Sequence, residues 1–392
     1  MVQIQPFTRQ TLDTLLELAG RPNLSVYMPT HRTFPQRNQD PIRLKNLIKE
    51  LETLLERHYP QIAKQALITP FQALIDDQTF WNACPEGIAI FGGLEHFMVV
   101  GLHKAVAETA VVNSHPYLKP LLRLAPMTDR YQALCLSRDS VRVYEGSMQS
   151  LQEISLPEAV PTNQIEALGD DLTPRDQRGH PDGFSGGGER GDPMMHESGG
   201  SGKQEEINLD RERFFRIVDR KITEHCSRVS KLPLVLVALP ENQAVFRAQS
   251  RNPFLLPEGV EQDPATLTAT QLTSACGELI GVRHDDRLNE ALGRYERAVG
   301  QQRLNANELP DIARAATEGR VALLLVEAER TVNGVMDGMS GDLSIRSGDD
   351  PGADDVLDEM ILAVMQHGGE VIVLPPERSM PSETGAAAVY RY

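Results

Sequence analysis

An α/β protein with α+β elements, arranged as three domains, is what this 392-residue chain predicts. Apolar runs of strand length alternate with segments of helical period, the pattern of layered α/β architecture. The length suits two or three domains. A stretch of 38 residues, 169–206, carries ten glycines and no apolar face, and so stands apart from any core-forming element.

The elements follow in order. LSVYM at 24–28 is a short strand, and the loop PTHRTFPQRNQD leads to a helix in which Leu44, Leu47, Ile48, Leu51 and Leu55 recur at three and four, with Asp40-Pro41 as N-cap and first-turn proline. GIAIFGGLEHFMVVGL at 87–102 reads as a hairpin about Gly92-Gly93. The first domain, 1–126, is therefore α/β. YQALCLSRDSVRVYEG at 131–146 is a second hairpin. Beyond the glycine-rich stretch, Phe214, Phe215, Val218, Ile222 and Cys226 share one face of a helix, and Arg213, Arg216, Arg220 and Lys221 line the other. LPLVLVAL at 232–239 is a buried strand, ENQAVFRAQ at 241–249 begins a helix, and the second domain spans 127–260. The third, 261–392, opens with helical patterns at 266–280 and 285–299. It continues with a helix ending at Gly319, a strand at 321–329, a helix at 354–368, and strands at 370–375 and 386–392, an α/β/α layering. An acidic, glycine-rich loop is expected at 341–355.

Charge narrows the function. The formal net charge is −16, which argues against whole-surface nucleic-acid binding. By segment the net is +1 for 1–125, −5 for 126–260 and −12 for 261–392, so nucleic-acid contact is expected from the first two segments and contact with protein or solvent from the last. Cys84, Cys135, Cys226 and Cys276 are 51, 91 and 50 residues apart, without the close pairing of metal sites or small disulfide scaffolds, and read as reduced, mostly buried thiols. The start MVQIQPFTRQ has no charged region leading into an apolar one, and no run of 18 apolar residues occurs; a cytoplasmic location without a membrane span is expected.

GGSGKQEE at 199–206 resembles a phosphate-binding loop only superficially. Such a loop needs glycine five positions before the GK glycine and Ser or Thr after the lysine; here those positions hold Glu197 and Gln204, and no strand leads in. His180, Asp182, Asp192 and His196 are metal-ligand types without metal-site spacing, so no metal and no cofactor are expected. No G-x-S-x-G elbow follows a strand. His31, His58, His284 and His367 have no readable partners and default to surface or capping roles. The basic helix face fits either RNA contact or a solvated surface, and the glycine-rich stretch fits either a loop that threads into RNA or a linker.

The order of hairpin, glycine-rich loop, basic helix starting RFFRIVD, buried strand and an α/β/α segment ending VLPPERSMPSETGAAAVYRY resembles the bacterial branch of the archaeo-eukaryotic peptide-chain release factor and Pelota superfamily. The early stretch SVYMPTHRTFPQRNQDPIRLKNLI is similar to the same branch. The resemblance covers nearly the whole chain. It implies an N-terminal recognition domain, a middle RNase H-like domain and a C-terminal domain resembling a kink-turn-binding ribosomal-protein fold. It also implies a ribosomal partner, at the ribosomal RNA and tRNA site, and a translational GTPase or stalk protein bound through the acidic C-terminal domain.

Release factors of that superfamily place Gly-Gly-Gln in the middle-domain loop to hydrolyse peptidyl-tRNA, whereas Pelota-like factors lack it. The matching segment here holds Gly186-Gly187-Gly188 before Glu189 and Gly199-Gly200-Ser201-Gly202-Lys203-Gln204, without a strict Gly-Gly-Gln. Adjacent glycines permit close backbone approach to RNA, yet Gln204 stands four residues beyond Gly200. Gln204 is thus the one catalytic nominee, and Arg178, Arg190, Lys203, Arg213, Arg216, Arg220 and Lys221 are the RNA-contact nominees. A ribosome-binding factor of rescue, hibernation or termination-like quality control leads; a peptidyl-tRNA hydrolase using Gln204 and a non-ribosomal scaffold or stress protein are the alternatives.

Overall fold

The structure, a computed structural model, describes residues 2–18, 22–102, 104–124, 130–148, 150–169, 201–300, 305–347, 350 and 353–392, and of Arg9, 201–206, 305 and 306 the backbone alone. The chain divides into two compact units. One joins Met1–Thr128 to Arg283–Tyr392, and the other is Asp129–Val282. It is a mixed α/β fold of several sheets and helices.

The N-terminal segment builds a five-stranded sheet from β1 (Ile4–Pro6), β2 (Asn23–Pro29), β3 (Gly87–Gly92), β4 (Phe97–Leu102) and β5 (Thr109–Asn113), ordered β1-β4-β3-β2-β5. Only β1 and β4 run parallel. Its helices are α1 (Arg9–Glu17), α2 (Asp40–His58), α3 (Lys64–Ile75), α4 (Gln78–Ala83) and α5 (Lys119–Leu124). Alternate residues of β2 serve two cores. Leu24, Val26 and Met28 pack against Leu44, Leu47, Leu51 and Phe71 of α2 and α3. Tyr27 points the other way, with Phe91, Leu118 and Leu121. Covering both faces is why LSVYM is apolar except at Ser25, whose hydroxyl accepts the Tyr117 N–H at 3.0 Å.

The middle unit contains β6 (Tyr131–Leu136), β7 (Val141–Ser147), β8 (Ser150–Glu153), α6 (Gln164–Leu168), α7 (Ser201–Ile222), α8 (Arg228–Ser230), β9 (Leu234–Val237), α9 (Pro240–Gln249) and β10 (Leu255–Val260). The sheet order is β10-β9-β6-β7-β8. β6, β7 and β8 form an antiparallel meander; β9 runs parallel to β6, and β10 parallel to β9. Period two again sorts the side chains. Leu134 and Leu136 face α7, while Tyr131, Ala133 and Cys135 meet Leu272, Cys276 and Ile280 of the next helix, α10 (Ala269–Gly300). That packing carries the unit past Val260 to Val282. From Arg283 onward α10 belongs to the other unit, within which Leu288, Ala291 and Tyr295 pack against the C-terminal sheet.

That sheet, ordered β11-β17-β12-β16, combines β11 (Asn305–Ala306), β12 (Val321–Glu327), β16 (Glu370–Leu374) and β17 (Ala386–Tyr390); a second, β14-β13-β15, combines β13 (Asn333–Met336), β14 (Leu343–Ile345) and β15 (Asp354–Asp355). Between them lie α11 (Leu309–Thr317) and α12 (Val356–Gln366). α11 ends as its sequence requires: Gly319 takes φ +67, and the Arg320 N–H donates to the Ala315 carbonyl at 2.8 Å.

Four readings of the sequence change. The two helices expected at 266–280 and 285–299 are one, because nothing in HDDRLN breaks a helix and an interior Gly281 costs only about 1 kcal/mol against alanine. The hairpin turn runs from Gly93 to His96, with the Gly93 N–H donating to the His96 carbonyl at 2.9 Å, and Gly92 stays in β3. Asp40 does not cap α2; it is the first helical residue, and its carboxylate accepts from the His31 N–H at 2.8 Å, with the His31 Nδ1 at 2.8 Å. The segment 341–355 is not loop throughout, since β14 and β15 lie in it.

The acidic run DDVLDE at 354–359 does structural work. The Ser114 N–H donates to Asp354 at 3.3 Å. Asp355 caps α12 by accepting the Leu357 N–H at 3.2 Å, and also accepts the Val332 N–H at 3.1 Å. Asp358, wholly buried, accepts the Leu118 N–H at 3.1 Å and the Lys119 N–H at 2.8 Å, with the His115 Nδ1 3.5 Å away. Glu359 accepts the Met336 N–H at 3.0 Å. The buried Lys119 ammonium donates to Asp355 and, at 2.6 Å, to the Arg330 carbonyl. Removing one partner of a buried pair strands the other charge. Lys119→Met is therefore expected to destabilise this unit by about 3–5 kcal/mol, measured by denaturant unfolding; a loss under about 1 kcal/mol would show that the pair carries no such burden.

Burial pushes the Asp358 carboxyl up to about 6, against the pull of His115. A carboxyl raised in the folded state holds its proton there when the unfolded chain has released it. Its contribution to stability is full below about pH 4 and is lost as the pH rises through about 6. Asp358→Asn removes this dependence. The stability of the variant relative to the parent is expected to climb by about 2–3 kcal/mol between pH 4 and 7, whatever its constant offset; a difference that stays level across that range would refute the assignment.

Candidate nucleic-acid interface

α7 is fixed by its inner face. Phe214, Phe215, Val218 and Ile222 are fully buried against Leu134, Val143, Leu236 and Phe246. Phe215 meets Phe246 edge-on with ring centroids 6.0 Å apart. Burying Phe-sized side chains contributes roughly 1.5–3 kcal/mol each, enough to fix the rotation of the helix on its sheet. What the helix shows to solvent follows from that rotation.

Arg213, Arg216 and Arg220, at i, i+3 and i+7, form the outward stripe and are exposed. They span roughly 10 Å along the axis. Arg213 lies 3.7 Å from the buried Asp210 carboxylate; Arg216 and Arg220 make no ion pair among the described residues. Lys221 turns off the stripe and is half-buried. The helix passes through a π turn at Thr223–Ser227 into α8, after which Lys231 adopts left-handed φ +56. Arg228 and Lys231 are exposed as well. Sequence periodicity missed these two because the wider π turn shifts the register that a 3.6 period extrapolates.

The glycine-rich segment divides. Arg178, Gly186, Gly187, Gly188, Arg190, Gly199 and Gly200, and the metal-type residues His180, Asp182, Asp192 and His196, lie outside the described residues. Gly202, Lys203 and Gln204 are described by their backbone alone, and that backbone belongs to α7, so the expected loop 169–206 gives way to helix at Ser201. The Lys-Gln-Glu-Glu run explains this, since these are good helix formers preceding an amphipathic helix already anchored in a core.

Other chemistry is sparse. Among the described residues no group of three or more His, Cys, Asp or Glu side chains could hold a metal ion, and no helix is long and apolar enough to cross a membrane. All four cysteines are buried and unpaired, and burial pushes the Cys84, Cys135 and Cys276 thiols up to about 12, which makes them poor nucleophiles. His367 caps α12 through Nδ1, 2.8 Å from the Ala363 carbonyl.

Known proteins bear on this arrangement. Residues 130–320 match the model of bacterial archaeo-eukaryotic release factor family 3. No curated protein matches the chain significantly. Among solved structures, the archaeal translation termination factor aRF1 is 13% identical over 99% of both chains with a TM-score of 0.25. Pelota of Archaeoglobus fulgidus is 11% identical over 99% of this chain and 94% of its own, with a TM-score of 0.32. An archaeal Pelota, from a model of ribosome-bound Pelota and ABCE1, is 12% identical over 99% and 95%, with a TM-score of 0.40. The whole-chain superpositions are loose. The family match runs from the strand that opens the middle unit through the basic helix and beyond, just under half of the chain, and over that stretch the chain is similar to the bacterial archaeo-eukaryotic release factors of family 3.

Proposed function

We propose that this protein is a ribosome-binding factor of release-factor and Pelota type, acting in ribosome rescue, hibernation or termination-like quality control without Gly-Gly-Gln hydrolysis. The observation that carries the proposal is the stripe of Arg213, Arg216 and Arg220, held outward by a buried aromatic face directly after a glycine-rich segment. Arginines at helical spacing match successive backbone phosphates, and such contacts position a protein on RNA. In this reading Arg178, Arg190, Lys203 and Lys221 add to the same contact. Gly186, Gly187, Gly188, Gly199 and Gly200 are residues of a type that permits close backbone approach to RNA, whereas Gly202 lies in the helical backbone of α7. The chain works as an N-terminal recognition domain, a middle RNase H-like domain and a C-terminal domain of kink-turn-binding type, in the cytoplasm. The middle sheet, three antiparallel strands extended by two parallel ones, supports the RNase H-like part. The acidic C-terminal segment is assigned to a translational GTPase or stalk protein.

Co-sedimentation with 70S ribosomes through a sucrose cushion tests this. The protein is expected to pellet with ribosomes at low salt and to be released as salt rises. Reversing the three arginines to glutamate should weaken binding and lower the log–log salt slope by roughly 2–3. Unchanged binding by the reversed variant would place the interface elsewhere, and no pelleting with empty, stalled or stress-derived ribosomes would favour the scaffold reading.

Hydrolysis has no structural observation in its favour. The helical backbone at Gln204 uses none of the glycine freedom that a Gly-Gly-Gln loop exploits. In a peptidyl-tRNA release assay the parent and Gln204→Ala are expected to be equally inactive. Release by the parent that the substitution abolishes would restore the enzymatic reading.

A further inference from the structure

The small sheet β14-β13-β15 has an open edge. β14 is bonded to β13 on one side and to no strand on the other among the described residues. Its register sets Met336 opposite Leu343, Val335 opposite Ser344 and Gly334 opposite Ile345. Just beyond the strand ends, the Asp337 N–H donates to the Asp342 carbonyl and the Arg346 N–H to the Asn333 carbonyl, each at 2.9 Å. Bonded and non-bonded pairs alternate in an antiparallel ladder, so between those two bonded pairs it is Ser344 that bonds to β13. Leu343 and Ile345 therefore turn their N–H and C=O groups to the open edge. The same parity shows on β13, where the Met336 N–H turns away from β14 to reach Glu359.

The edge is held in shape by its turn. The Asp337 carboxylate accepts the Met339 N–H at 3.0 Å and the Ser340 N–H at 2.7 Å, and the Gly341 N–H donates to the Asp337 carbonyl at 2.8 Å. Gly341, at φ +73, sits against α11, where a Cβ would lie 2.6 Å from the Arg314 Cα. Ser344, Ile345 and Arg346 are exposed, Ile345 by 58%. Apart from its shortness, β14 carries none of the usual guards of an edge: it has no proline, no lysine and no bulge.

The residues of this edge indicate what pairs with it. DLSIR, 342–346, is its own complement when two copies run antiparallel about Ser344. Leu343 then stands opposite the partner's Ile345, at positions whose backbone groups already face outward, and each such pair exchanges both of its N–H···O=C bonds. Asp342 stands opposite the partner's Arg346 at either end, in non-bonded pairs where side chains approach closest. The apolar side chains fall on the face where Leu343 packs against the core, and the charged ones fall on the other. Within the chain Asp342 lies 3.3 Å from Arg314 and Arg346 lies 3.4 Å from Asp350, exposed pairs that exchange partners at little cost.

We propose that β14 is a self-association edge, through which two copies of this chain pair antiparallel about Ser344 and join their three-stranded sheets into one. A foreign strand would satisfy the backbone groups equally; the second copy is favoured because two-fold symmetry supplies opposite charge at both ends. The contact is small. It falls short of the roughly 1,200–2,000 Å² of a stable complex, so the dimer is weak and concentration-dependent. The proposal is independent of the ribosome-binding reading, since it involves neither α7 nor any nucleic acid.

Sedimentation velocity of the full chain from about 1 to about 200 µM tests it. The parent is expected to move reversibly from monomer toward dimer across that range. Ile345→Pro removes an edge N–H that β13 does not use, and should hold the protein monomeric. Asp342→Arg and Arg346→Asp each set like charges opposite one another at both ends, and each should weaken association about tenfold or more. An equimolar mixture of these two variants should associate again, because each meets opposite charge on the other, and so should the chain carrying both substitutions. Loss of the pairs with Arg314 and Asp350 does not account for such a recovery. Circular dichroism confirms that each variant is folded. A parent that stays monomeric throughout would overturn the proposal and leave the edge to a strand of a different protein. Dimerisation that survives Ile345→Pro or both single charge changes, or single variants that neither mixing nor the double exchange restores, would overturn it as well.

Discussion

The carboxylates at the start of α12 are the constraint on which the split unit depends. Asp354, Asp355, Asp358 and Glu359 are buried, and each accepts a backbone N–H from a segment outside the helix. Two of those segments, Ser114 to Lys119 and Val332 to Met336, present N–H groups at the ends of β5, α5 and β13 that would otherwise be buried without partners. Lys119 adds a buried cation, and the N-terminus of α12 adds the positive end of a helix dipole. Sequence positions more than 230 residues apart are thereby joined by named polar bonds as well as by apolar contact. The cluster is costly to bury, which is why Asp358 is pushed toward protonation, and the cost is offset because nearly every polar atom in it has a partner.

This arrangement changes how the charge of the chain should be read. The net of −12 in residues 261–392 invites the picture of an acidic surface, yet four of its carboxylates point into the molecule. The positive charge is distributed in the opposite way. The arginines of α7 are exposed because their neighbours in sequence, Phe214 and Phe215, are anchored. Acids inside and bases outside allow a chain of strongly negative formal charge to present a basic surface.

Much of the fold was legible. Strands such as 131–136 and 321–327 and helices such as α2, α7 and α11 follow from apolar runs and 3.6-residue periods, since both of those strands are covered on two faces and these helices on one. β1, β8 and β10 were missed. Their burial is partial, and β10 carries a proline and a glycine, so no periodic signal marks them. The basic stripe was legible at Arg213, Arg216 and Arg220 for the same reason as the helix; Lys221, one residue past the stripe, is half-buried at its side, since one residue turns a helix by 100°.

What the sequence determined by itself is local: which segments are helix or strand, which face of each is apolar, where positive charge accumulates, and a family resemblance in the order of these elements. Tertiary structure alone decided the rest. Whether an aspartate at the head of a helix caps it or grips a histidine nine residues earlier, whether an acidic run is a solvated loop or a buried clasp, and whether a phenylalanine enters a core or stays at a loop tip all depend on groups distant in sequence. Burial and hydrogen-bond satisfaction are properties of the assembled fold, and no local window of sequence contains them.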